Sequence, residues 1–412
     1  MYDFSTATDR SNSLSVKWDR NAIRSICNNA DALPFWVADM DFQAPPSVVE
    51  ALQEQVTHGI LGYPAVNDTP EVFVQWAERR HQWNVQSSEV IVSPGMLASV
   101  AALVELLSSE GDQIILPMPA YQPFVHIIRN LNRRIAAWPM HYDEHQHQFS
   151  CDMALLEHLA QQADTSLLIF CSPHNPTGRV FTPEELQEVA AIVHRHDIAV
   201  ISDEIHADLT LPGYTHTPFD VIAREKQIVC ATCMAPSKTF NIAGEHLSVV
   251  VCSTDELTRV LRSRFRALHL SPDLLATITA IGAYRGGYEW LQELREHLRC
   301  QVSLIQRLLE EQHSELHFVT PEASFIGFLD CSSIYDAVVQ DERAHPELYD
   351  RKISPSGGLL SRFFGQRAKV AMNDGTWFGA DYARFVRFNY GTSESAVTEA
   401  IMSIVEAERS LH

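Results

Sequence analysis

A chain of 412 residues is too long for one simple core and accommodates about two domains. With 46% hydrophobic and 20% charged residues it is globular, and a formal net charge of −21 argues against nucleic acid or an anionic membrane surface as a partner. No apolar run reaches the ~18 residues of a membrane span, no basic stretch followed by an apolar one opens the chain, and eight cysteines show no small-scaffold disulfide spacing, so a reducing cytoplasm is the expected compartment.

In chain order, the middle of the sequence alternates short apolar runs with longer helical patterns. Glu89–Val92, Gln113–Leu116, Ser166–Cys171, Ile198–Ser202, Ile228–Ala231 and Ser248–Cys252 read as strands; Met96–Ser109 and Pro183–His196 read as helices between them. Thr182, Pro183 and Glu185 supply the N-cap, first-turn proline and capping box of the second helix. This alternation predicts an α/β fold with a mostly parallel sheet covered on both faces, whose ligands bind at the carboxyl ends of the strands. Beyond it, helical patterns run from Ser271 to Glu311, followed by strands at Phe325–Asp330 and Arg384–Asn389 and a last helix at Glu394–Glu408, a smaller α+β unit. The polar stretch 340–358 reads as a loop or insertion. Cys230 and Cys233 form a CxxC but lie in a run that reads as a buried strand, and His141, His145 and His147 fall in a polar stretch that reads as a solvated loop; neither is taken as a metal site.

Four segments carry the chemistry, each just past a predicted strand. Ser93-Pro-Gly-Met-Leu97 opens a helix, whose first N–H groups form a phosphate cup, and lacks the G-x-G-x-x-G of dinucleotide binders. Ser172-Pro-His-Asn-Pro-Thr-Gly178 forces an irregular turn that aims Asn175 at a ligand oxygen. In Ser202-Asp-Glu-Ile-His206, Asp203 follows an apolar strand, so it is buried and needs a cationic partner such as a protonated pyridine nitrogen, with His206 in reach of the ring hydroxyl. In Ala235-Pro-Ser-Lys-Thr-Phe-Asn241, Lys238 follows a buried strand, where a desolvated amine forms a Schiff base.

With Met1-Tyr-Asp-Phe4, Lys17-Trp-Asp19, Pro34-Phe-Trp-Val-Ala-Asp-Met-Asp-Phe42 and Gly62-Tyr-Pro64, these segments make a chain that, over nearly its whole length, resembles the fold-type I pyridoxal 5′-phosphate enzymes of the aspartate aminotransferase superfamily, and within them the MalY/PatB group of cystathionine β-lyases and cysteine-S-conjugate lyases. The resemblance implies a mostly parallel seven-stranded sheet in a large domain at 46–285, a smaller α+β domain at 286–412, and an N-terminal arm at 1–45 that joins the small domain. It implies that Lys238 holds the cofactor, Asp203 its ring nitrogen, and Asn175 and His206 its hydroxyl, with Tyr121 stacked on the ring. Backbone N–H groups of Met96 and Leu97 and the Ser237 hydroxyl would bind the phosphate, Tyr63 would reach the neighbouring subunit's phosphate and substrate in a homodimer, and Arg387 would bind the substrate carboxylate. Three departures put the substrate in question: His246, after Glu245, stands where the superfamily often has a phosphate-binding arginine; Phe325-Ile-Gly-Phe-Leu-Asp330 replaces an aromatic-rich run; and 340–358 is long. His246 is therefore a further cofactor contact expected here. The implied activity is a carbon–sulfur β-lyase on cystathionine or an S-substituted cysteine; the alternatives are an aminotransferase and a lyase-like regulatory protein that binds a protein partner.

Overall fold

The computed structural model describes residues 2–64 and 68–411, so Met1 of the first motif lies outside it. Its centre is an eight-stranded sheet: β1 (Val90–Ser93), β2 (Gln113–Met118), β3 (Arg134–Asp143), β4 (Gln148–Cys151), β5 (Thr165–Cys171), β6 (Ala199–Asp203), β7 (Cys230–Met234) and β8 (Ser248–Cys252), in the spatial order β1-β8-β7-β6-β5-β2-β3-β4. The run from β7 to β3 is parallel, while β8 is antiparallel to both neighbours and β4 returns antiparallel on β3. The eighth strand corrects the expected seven. It exists because the stretch around His141, His145 and His147 is the tip of a β3–β4 hairpin rather than an open loop. His141 lies within β3, paired with Ser150, and the His147 ring stacks on His317 at 3.8 Å.

The inner strands read as unbroken apolar runs because both faces are covered. In β5, Leu168 and Phe170 join the core on one side, Leu167, Ile169 and Cys171 the core on the other. Cys230 and Cys233 of β7 are free thiols inside this packing. The helix Pro183–Arg195 starts as expected: Glu185 N–H donates to Thr182 Oγ1, and Thr182 N–H donates to the Glu185 carboxylate, a cap that contributes about 1 kcal/mol.

A second, antiparallel sheet joins His317–Phe318, Ile326–Asp330, Phe385–Asn389 and Asn373–Asp374 in that order. The arm enters this part of the molecule through Leu33–Pro34, paired with Val370–Ala371. The stretch 340–358 is not an open loop. A helix over Tyr335–Ala344 and a 3-10 turn over Pro346–Tyr349 occupy its first half. Its second half is tied down by buried Arg362, which donates to Ser354 Oγ, Ser354 O and Gly357 O. Among the described residues no helix is long and apolar enough to cross a membrane.

Candidate active site

The carboxyl ends of β1, β5, β6 and β7 point the same way, and their four following segments meet around a cavity of about 380 Å³. Met96, Leu97, Tyr121, Asn175, Asp203, His206, Ser237, Lys238 and His246 all line it. Arg387 stands behind Asn175, and Tyr63 is not brought to the cavity: it is fully exposed, on an extended stretch after the helix Pro46–His58.

Lys238 sits on a one-turn helix, Pro236–Thr239, where it is half-buried, and its Nζ donates to the Ala38 carbonyl at 2.7 Å. Burial pushes the amine down to about 8; the Arg387 charge acts in the same direction, and Asp39 and Asp203 oppose it. Asp203 ends β6 at 4% exposure, and no Lys or Arg pairs with it among the described residues. Its Oδ1 accepts from Ile205 N–H at 3.2 Å, and burial drives the carboxyl up to about 7. His206 is held neutral: burial, aided by the charges of Lys238 and Arg387, lowers it to about 3.

The helix Met96–Leu107 begins after Gly95, at φ 109°, with no side chain capping its first turn. A left-handed backbone there suits glycine, and the uncapped N–H groups make an anion cup. His246 lies against it; a Cβ on Gly95 would sit 3.6 Å from the His246 Cβ.

Arg387, in the strand Phe385–Asn389, is buried over the Phe378 ring, 5.1 Å from its centroid. Nη1 donates to Asn175 Oδ1 at 3.2 Å, and Nη2 donates to Trp36 O and Asn373 Oδ1 at 2.8 Å each. Nε has no partner, and no carboxylate pairs with the group among the described residues. Burial lowers its pKa to about 10. A buried guanidinium without an acid is costly unless an anion arrives to meet it.

The residues that sequence reasoning missed lie mostly in Pro34–Phe42. That motif is a strap of backbone acceptors: Trp36 O takes Arg387, Ala38 O takes Lys238, and Val37 O and Asp39 O take Asn389 Nδ2. Beneath it, Lys17 pairs with Asp41 at 2.9 Å, and Arg10 pairs with Asp39 and Asp41. Ser324 and Asn373 were also missed; Ser324 touches His206, and Asn373 accepts from Arg387 on the neighbouring strand of the small sheet.

An amine, a cation-seeking carboxylate, a carboxylate-seeking guanidinium and an anion cup, on a mixed sheet with a small α+β partner, define a class. The chain belongs to the aminotransferase class I and II family, whose model matches residues 31–404. Within it, the chain is 32% identical to cystathionine beta-lyase PatB of Bacillus subtilis over 98% of this chain and 99% of that one. It is 28% identical to protein MalY of Escherichia coli, covering 100% of each. Among solved structures it is similar to cystalysin from Treponema denticola, which contains a pyridoxal 5′-phosphate cofactor, with TM-score 0.89, 28% identity and 100% coverage of both chains. It is also similar to the PLP-bound C-S lyase of Staphylococcus hominis, with TM-score 0.86, 26% identity, and 99% of this chain and 98% of that one covered.

Proposed function

We propose that the cavity holds pyridoxal 5′-phosphate on Lys238 and that the protein is a carbon–sulfur β-lyase, converting cystathionine or an S-substituted cysteine with water into thiol, pyruvate and ammonia. The observation that carries this reading is Arg387, buried, without an acid partner, and joined through Asn175 to the cavity that contains Lys238 and Asp203. A site so built takes a ligand with a carboxylate at one end.

When bound, the cofactor supplies an aldehyde that captures an amino group and a ring that accepts the electron pair released at the α-carbon. The chain does the rest. Arg387, behind Asn175 and with no acid partner among the described residues, would orient the substrate carboxylate. Lys238, with its pKa near 8, removes the α-proton as a free amine at mildly alkaline pH. Asp203, having no cation of its own, keeps the ring nitrogen protonated. Asn175, His206 and Tyr121 line the cavity, where the first two would contact the ring hydroxyl and Tyr121 would pack on the ring. The first-turn N–H groups of Met96 and Leu97, the Ser237 hydroxyl and His246 would receive the phosphate. The sulfur then leaves with the C–S bonding pair, and water releases pyruvate and ammonia.

Tyr63, exposed beside Val56, Ile60 and Leu61, supports a homodimer in which this stretch covers the partner's site. Similarity to PatB and the C-S lyases supports elimination over transamination. Incubating the pyridoxal phosphate-loaded protein with cystathionine and scoring pyruvate and free thiol tests the reading. Equal yields of both are expected. Turnover that occurs only with an added 2-oxo acid and gives no pyruvate would make it an aminotransferase.

A further inference from the structure

Ser324 is a serine in a conformation that serines avoid. Its φ is +76°, in the left-handed region, and it is 2% exposed. Every polar atom it has is engaged. Its N–H donates to Leu209 O at 2.9 Å, its carbonyl accepts from the Tyr390 hydroxyl at 2.8 Å, and its Oγ lies 3.0 Å from His206 Nδ1. The preceding Ala323 bridges Thr210, and its N–H donates to Gly178 O at 2.9 Å. A non-glycine residue held in this region by so many contacts is a place where strain is kept for a purpose.

The hydrogen bond to His206 has a definite sense. Ser324 Oγ has no other partner among the described residues, so its proton has one acceptor available, His206 Nδ1. Were Nδ1 to carry the proton instead, the serine hydrogen would be left unmet and the cavity-side nitrogen would be a bare lone pair. His206 lines the cavity and Nε2 has no protein partner among the described residues. A lone pair there would face the lone pairs of a bound ring oxygen.

We propose that Ser324 is a positioning residue that fixes His206 in the tautomer with its proton on Nε2, so that the imidazole presents an N–H donor to the cofactor's ring oxygen; this rests on reading the cavity as a pyridoxal phosphate site. The neutral state of the buried imidazole is what gives the choice of tautomer its consequence. Ser324 stands in the chain leading into Ile326–Asp330, the strand that pairs with the Arg387 strand, so the same residue ties the cofactor side of the cavity to the carboxylate side.

Two variants separate the hydroxyl from the backbone. Ser324→Ala removes the hydroxyl and keeps the strain; Ser324→Gly removes both. In cofactor-free protein with ¹⁵N-labelled histidine, His206 identified by the signal lost in His206→Gln, the parent should show Nδ1 unprotonated and Nε2 protonated. Both Ser324 variants should show a mixture of tautomers. Both should also bind pyridoxal phosphate more weakly by roughly fivefold to tenfold, the scale of one lost buried hydrogen bond. A parent with the proton on Nδ1 would overturn the assignment. So would a Ser324→Gly protein with parental tautomer and affinity, since that would reduce the serine to a strained turn. Should the parent take up no pyridoxal phosphate, the cofactor reading fails, while the tautomer measurement still decides the role of Ser324.

Discussion

Asp203→Asn should make the cofactor-free protein more stable while crippling the loaded one. The native carboxyl is pushed up to about 7 from the usual 3.8 because it is buried without a cation. Between those two values the folded chain keeps a proton that the unfolded chain has lost, so stability falls as pH rises across this window and levels off above about 7. Three units at about 1.4 kcal/mol each set an upper bound near 4 kcal/mol. The amide must still be desolvated, which leaves a gain of roughly 2–4 kcal/mol for Asp203→Asn above pH 7 and little near pH 4. Urea unfolding of cofactor-free parent and variant, at fixed protein concentration and several pH values, reads this difference directly. With pyridoxal phosphate present the order should reverse, because only the carboxylate meets a cationic ring. A stability difference that stays flat from pH 4 to pH 8 would refute the claim that Asp203 is a carboxylate kept waiting for a cation.

Arg387→Ala should lower kcat/KM by about 10²–10³, the scale of a lost two-point charged contact, with cofactor uptake retained; loss of cofactor instead would place Arg387 elsewhere in the mechanism. Mixing Lys238→Ala chains with Tyr63→Phe chains should restore activity through heterodimers carrying one intact site, and verified heterodimers that stay inactive would count against a shared site. His246→Ala should weaken cofactor binding severalfold, a small effect because the side chain is exposed and screened; an unchanged dissociation constant would leave the phosphate to the helix terminus and Ser237.

Much of this site is legible in the sequence because the fold puts chemistry at strand ends. Once β5, β6 and β7 read as buried strands, Asn175, Asp203 and Lys238 fall at one edge of one sheet. What is not legible has a physical reason in each case. The carbonyls of Trp36 and Ala38 act through the backbone, which carries no residue-type signal. Strand β3 alternates buried Ala136, Trp138 and Met140 with exposed positions and contains Pro139, so its period-two pattern lacks the continuous apolar run of its neighbours. Ser324 sits in an unremarkable Pro-Glu-Ala-Ser stretch, and its left-handed backbone and its reach to His206 emerge only when the two sheets meet. Tyr63 is fully exposed, so only the proposed homodimer gives it a role at a site. The polar stretch 340–358 looks loose because it is anchored by hydrogen bonds from Arg362 to Ser354 and Gly357 rather than by apolar packing that would leave a periodic pattern.

The claim that this cavity is a pyridoxal phosphate site anchored on Lys238 is open to one direct measurement. The loaded protein is reduced with borohydride, digested, and its peptides are weighed. One peptide should carry the phosphopyridoxyl group, the one spanning Pro236–Phe240, with the label on Lys238. A label on any other lysine, or no labelled peptide after reduction of a protein that has bound the cofactor, would contradict it.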